Sequence, residues 1–122
     1  MAEPFKDIVG IDRIVHEPPR LALLLALDLC VSADFKYLQA RTGLSDSNLS
    51  VHLTKLESHG LITIEKIRRS PRTIVRITKD GKAAMRAWRK LLEKASKPLP
   101  IEKVEKDGLV ELRGLTPDPA MG

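Results

Sequence analysis

The stretch SDSNLSVHLTKLESHGLI, running from Ser45 to Ile62, decides the fold. Ser45 is a good N-cap, because a short hydroxyl can satisfy the amides that a first helical turn leaves unpaired. Asp46 sets a negative charge at the positive end of that helix, and Leu44 and Leu49 take the N′ and N4 positions of a hydrophobic staple. Leu49, Leu53 and Leu56 recur at i, i+4 and i+7, which is one buried stripe, and Gly60 closes the helix. Immediately upstream, a helix that starts at about Ala33 or Asp34 stops at Thr42-Gly43. Its inward side chains are Phe35, Leu38 and, at the margin, Tyr37. Two helices separated by so short a glycine-containing turn must lie at a steep angle.

After Gly60 the period changes from helical to two. Leu61 to Ile67 alternates apolar and polar residues, and so does Thr73 to Ile77 with a slip at Val75. Between them Arg68-Arg69-Ser70-Pro71-Arg72 is turn-forming and carries three arginines, so the pair reads as a hairpin with a basic loop. Thr78 can cap a last helix from Lys79 to about Lys97. Ala84, Trp88, Leu91 and Ala95 share one face of it, with Met85 and Leu92 beside them, and Gly81 is a minor cost in its first turn.

Toward the N-terminus, Phe5, Ile8, Ile11, Ile14 and Val15 suit a short amphipathic helix from Phe5 to His16, ended by Pro18-Pro19. Pro19 then opens a second helix to about Leu29, apolar nearly all round and therefore central to the core. Residues 1–97 thus form one domain with flanking helices. Pro98 and Pro100 break the pattern, and residues 98–122 are expected to be a loosely docked or disordered tail, with a strand from Gly108 to Leu112.

Composition narrows the class. A chain of 122 residues supports a single core, and 3% aromatic residues leave Leu, Ile, Val and Ala to fill it, favouring helix over β-sandwich. Cys30 is the only cysteine, so no intramolecular disulfide and no cluster of zinc thiolates can form; it reads as a buried thiol. The apolar run from Leu21 is interrupted at Asp28, well short of a membrane span, and the N-terminus lacks a signal-peptide pattern. The expected compartment is the cytoplasm. His16, His52 and His59 are scattered, so no metal is expected, and no pattern calls for a cofactor or identifies an effector. No nucleophile elbow or phosphate loop organises the polar residues, which speaks against an enzyme.

Charge is unevenly placed. The chain carries a net +5, yet residues 61–97 alone hold 12 basic and 3 acidic side chains. Residues 1–60 and 98–122 are each mildly acidic. Such asymmetry is the footprint of a polyanion partner or, alternatively, a merely solvated basic face.

The order helix, helix, helix–turn–helix, basic hairpin, helix is a winged helix-turn-helix, mainly α with a small β-hairpin wing. In that arrangement the helix from Ser45 projects its outer face into a major groove about 12 Å wide. The hairpin brings guanidinium groups to phosphates and to the minor groove. With the three leucines buried, Asp46, Ser47, Asn48, Ser50, Val51, Thr54 and Lys55 remain outside, with His52 at the boundary. Short polar groups suit base edges, Val51 a thymine methyl and Lys55 a phosphate; Ser47 and Asn48 could instead only assist the cap. The candidate DNA-binding set is Ser45, Asp46, Ser47, Asn48, Ser50, Val51, His52, Lys55, Arg68, Arg69 and Arg72.

Three pieces carry a family resemblance: Ser45 to Ile62, Ile11 to Leu21, and Arg69 to Thr73 followed by Thr78 to Gly81. Over roughly residues 8–95 the chain resembles compact winged-helix regulators related to the ArsR and MarR groups. The resemblance implies a homodimeric, repressor-type regulator of double-stranded DNA whose first and last helices make the dimer contact. The candidates for that contact are Phe5, Ile8, Ile11, Trp88, Leu91 and Leu92, although Trp88 could equally pack within one subunit. It also carries DNA contact onto Ser47, Asn48, Ser50, His52 and the loop arginines. The paired cysteines of many metal-sensing ArsR relatives are absent, so thiolate metal sensing is not implied. A winged helix used as a protein–protein module is the alternative, and the run of arginines counts against it.

Overall fold

The computed structural model describes residues 4–69 and 72–97. Ser70-Pro71 and residues 98–122, with the tail and the strand expected at Gly108 to Leu112, lie outside the described residues. The chain forms α1 (Pro4–Val9), α2 (Pro18–Asp28), β1 (Ala33–Asp34), α3 (Phe35–Thr42), α4 (Asp46–Ser58), β2 (Ile62–Ile67), β3 (Arg72–Ile77) and α5 (Lys79–Ser96). None of these helices is long and apolar enough to cross a membrane.

The core is built from the leucine pattern. Leu23, Leu24 and Leu27 of α2 meet Leu38 of α3 and Leu49, Leu53 and Leu56 of α4, all essentially without exposure. Met85 is the deepest apolar side chain of α5, while Ala84 and Trp88, read as its inner face, are only partly buried against the same cluster. Glu17 caps α2 by accepting from the Arg20 amide at 3.0 Å, with proline in the first turn as expected.

Four local expectations are corrected. The first helix ends at Val9 rather than His16. Gly10 follows it, and Asp12 Oδ1 accepts from the Ile14 amide at 2.9 Å, a turn that competes with helical hydrogen bonding. Ala33 and Asp34 are not the start of a helix but a short strand, pairing Ala33 with Val75 and Asp34 with Ile74. Asp34 then caps α3 by accepting from the Tyr37 amide at 2.7 Å, and Tyr37 itself faces outward. Cys30 is half-buried beside an open groove rather than in the core.

The fourth concerns Gly81, buried where α5 crosses the base of the hairpin. A Cβ there would stand 2.2 Å from the Leu61 carbonyl oxygen and 2.6 Å from Ile77 Cγ1. Glycine is a packing requirement at this position, not a tolerated cost.

The sheet order is β1-β3-β2, all antiparallel. Hairpin register runs from Ile62 opposite Ile77 to Ile67 opposite Arg72. The slip in alternation at Val75 has a plain cause. β3 is the central strand, so Val75 joins the core while Ile74 is buried on the other face.

Candidate nucleic-acid interface

The helix–turn–helix is fixed by short-range hydrogen bonds. Thr42 Oγ1 donates to the Leu38 carbonyl at 2.7 Å, and the Gly43 amide donates to the Gln39 carbonyl at 2.8 Å. Gly43 stands at φ 72°, the left-handed conformation that lets the chain turn at once into α4. Ser45 Oγ accepts from the Asn48 amide at 3.2 Å, as an N-cap must. Asp46 accepts from Gln39 Nε2, tying the first turn of α4 to α3.

That geometry sorts the candidate residues. Ser45 and Asp46 are exposed, but their polar atoms already hold the turn. Ser47, Asn48, Ser50, Val51, Thr54 and Lys55 are exposed, and helical spacing gathers them on the side opposite Leu49, Leu53 and Leu56. Val51 stands at the centre of this face, 64% exposed. An apolar side chain so open, among serines and a threonine, suits contact with a methyl group rather than packing. His52 differs. It is half-buried at the edge of the face, its Nδ1 3.4 Å from Arg20 Nη1 and 3.9 Å from Glu17 Oε1.

The hairpin projects beside this helix. Gly60, at φ 73°, ends α4, and Thr78 Oγ1 donates to the Gly60 carbonyl at 2.6 Å while the Thr78 amide donates to the Leu61 carbonyl at 3.0 Å. The strands therefore leave the end of α4 at a fixed angle. Arg68, Arg69 and Arg72 are exposed. Arg76 is held across the strands by Glu65 at 3.0 Å, so it is the least available cation of the hairpin. Arg72 also lines a cavity of about 430 Å³ with Asp34, Phe35, Lys36 and Thr73. Three guanidinium groups at the loop end of the hairpin suit the phosphate backbone better than any buried anion.

The face formed by the N-terminal segment and α5 lies elsewhere. Phe5 and Val9 are 54% and 86% exposed, and Ile8, Ile11, Leu91 and Leu92 are half-buried. Trp88 packs against the core and its Nε1 donates to His16 Nδ1 at 3.3 Å. A cavity of about 260 Å³ between Ile11, Asp12, Val15, Ala84, Ala87, Trp88 and Leu91 separates the two elements. On the opposite face of α5, Asp28 accepts from Arg89 and binds Lys82 at 3.4 Å. The Arg89 guanidinium holds the Asp28 carboxyl below its ordinary value, outweighing partial burial, with Lys82 adding to the effect.

Arg20 and Gly81 were not singled out from the sequence as parts of this site. An arginine after two prolines carries no periodic signal, and a glycine in a helix signals close approach only once its neighbour is known.

A family model described as a winged helix DNA-binding domain matches residues 20–95. An uncharacterized protein of Methanocaldococcus jannaschii is 40% identical over 70 residues, covering 56% of this chain and 73% of its own. Among solved structures, the transcriptional regulator homologue from Pyrococcus horikoshii OT3 superposes with a TM-score of 0.71 at 29% identity. That match spans 77% of this chain and 94% of the other. A MarR-family protein from Porphyromonas gingivalis W83 shares the fold, with a TM-score of 0.59 at 18% identity over 71% of this chain and 86% of its own.

Proposed function

The chain belongs to the winged helix DNA-binding domain family, and on that premise we propose that it is a homodimeric transcriptional regulator reading duplex DNA with α4 and gripping it with the β2–β3 hairpin. The observation that carries the reading is the pairing of two surfaces. One is an exposed α4 face of Ser47, Asn48, Ser50, Val51, Thr54 and Lys55; the other is an adjacent hairpin exposing Arg68, Arg69 and Arg72. The division of labour follows from their chemistry. The α4 face offers small hydrogen-bonding groups and one methyl-sized apolar contact but little charge, which suits base edges. The hairpin offers charge without shape, which suits phosphates and a narrow minor groove.

Dimerisation is supported by the apolar residues left at the N-terminal face, Phe5, Ile8, Ile11, Leu91 and Leu92, and by the unfilled space beside Trp88. Two copies joined there would set their α4 helices about 34 Å apart, one turn of DNA, and favour an inverted repeat. Repression by occupying the operator needs no more than this. The activity is binding rather than catalysis, and the compartment that suits it is the cytoplasm.

Selection of bound sequences from a random duplex pool near physiological salt tests the reading. An enriched inverted repeat with half-sites about one helical turn apart is the expected result. Failure to enrich any sequence would overturn it.

A further inference from the structure

The Arg20 side chain is unusual in spending all three of its nitrogens inside the molecule. Nε donates to the Ile14 carbonyl at 2.8 Å and Nη2 to the Arg13 carbonyl at 3.3 Å, so the guanidinium fork grips the turn that follows α1. Nη1 faces His52 Nδ1 at 3.4 Å and lies 3.9 Å from Glu17 Oε1, the oxygen that caps α2. The side chain is 15% exposed and that of His52 17%. One planar group thus touches the N-terminal turn, the first turn of α2 and the middle of α4.

A guanidinium only donates, so His52 Nδ1 must accept from it. A neutral imidazole accepting at Nδ1 carries its proton on Nε2, and that N–H has no partner among the described residues. His52 sits at the edge of the exposed α4 face, one residue past Val51.

We propose that Arg20 is a positioning residue for DNA recognition, fixing the place and tautomer of His52 so that the imidazole Nε2–H is a donor at the edge of the α4 face. The matching group on DNA is an acceptor, such as a guanine O6 or N7, a thymine O4 or a phosphate oxygen. The inference rests on reading α4 as the recognition helix. It also makes the turn at Arg13 and Ile14 the place where movement of the N-terminal segment reaches that helix.

The test uses the full chain and a duplex selected from the random pool. Arg20→Ala, Arg20→Lys, His52→Ala and the double variant are compared by equilibrium binding across salt concentrations, with Asn48→Ala alongside. Arg20→Ala and His52→Ala are each expected to weaken binding about tenfold, comparable to one hydrogen bond, and the double variant no further. Arg20→Lys, which keeps the charge but loses the fork, should not restore affinity. The salt slope should stay that of the parent, because a guanidinium bonded within the protein neutralises no phosphate and releases no counterion. Nitrogen NMR of the parent ring should show Nδ1 unprotonated, a readout available even where a variant folds poorly. A protonated Nδ1, additive losses, rescue by lysine or a reduced salt slope would each overturn the proposal. Loss of binding in Asn48→Ala with none in Arg20→Ala would sink it while leaving the α4 reading intact; indifference to Asn48→Ala would sink that reading itself.

Discussion

Replacing Gly81 by alanine separates a packing argument from a propensity argument, because the two predict opposite signs. In an unconstrained helix the change would stabilise by about 1 kcal/mol. Here the new methyl would sit 2.2 Å from the Leu61 carbonyl oxygen, which must retreat by about an ångström to reach ordinary contact. That oxygen accepts from the Thr78 amide at 3.0 Å, and Thr78 is the cap of α5, so retreat loosens the joint between hairpin and helix. Ile77 Cγ1 can rotate away; the backbone carbonyl cannot. Weakening one hydrogen bond costs about 1 kcal/mol and overpacking a further 1–3 kcal/mol. After the propensity gain the net loss is about 2 kcal/mol, a fall of about 10 °C in Tm for a domain of this size. Thermal melts followed by circular dichroism read the effect directly. An alanine variant melting at or above the parent would refute the account of how α5 meets the hairpin.

Other outcomes follow from the same contacts. Ser45→Ala removes the cap of α4 and should cost about 1 kcal/mol in urea denaturation, whereas Ser50→Ala, exposed and outside the cap, should leave stability nearly unchanged. Asp28 is held below its ordinary value of 3.8 in the folded chain, so its stabilising effect is present above that value and disappears as pH falls through the lower folded one. Asp28→Asn should therefore be less stable by about 1 kcal/mol near neutrality and should match the parent in strong acid, as acid-dependent urea melts would show. Leu92→Asp places a charge on the proposed dimer face and should shift the mass measured by light scattering from dimer to monomer; an unchanged dimer would place the interface elsewhere.

The elements that could be read in advance are those whose signals are local. Ser45, the leucine stripe and Gly60 each act within a turn of the helix they delimit, and α4 begins and ends where they put it. Thr78 likewise caps α5 as expected. The misreadings came from partners far along the chain and from one local turn. A two-residue strand has no period, and Ala33–Asp34 exists as β1 only because Val75 and Ile74 lie beside it. The turn at Asp12 cut α1 short although the apolar spacing ran on to Val15. Among site residues, exposure on α4 followed from helical spacing, whereas the setting of His52 depends on Arg20, 32 positions away.

The proposed division of labour, recognition by α4 and grip by the hairpin, can be measured. Its most direct test is equilibrium binding of a selected duplex and a scrambled one between 50 and 200 mM salt, roughly the range where phosphate neutralisation is most visible. An Asn48→Ala/Ser50→Ala variant should lose discrimination between the duplexes while keeping the parent's salt slope. An Arg68→Ala/Arg69→Ala/Arg72→Ala variant should keep discrimination while its slope of log K against log salt falls by up to about 2.7 per subunit, roughly 0.9 for each phosphate that is no longer neutralised. Salt slopes unchanged in the hairpin variant, or discrimination unchanged in the helix variant, would contradict the account.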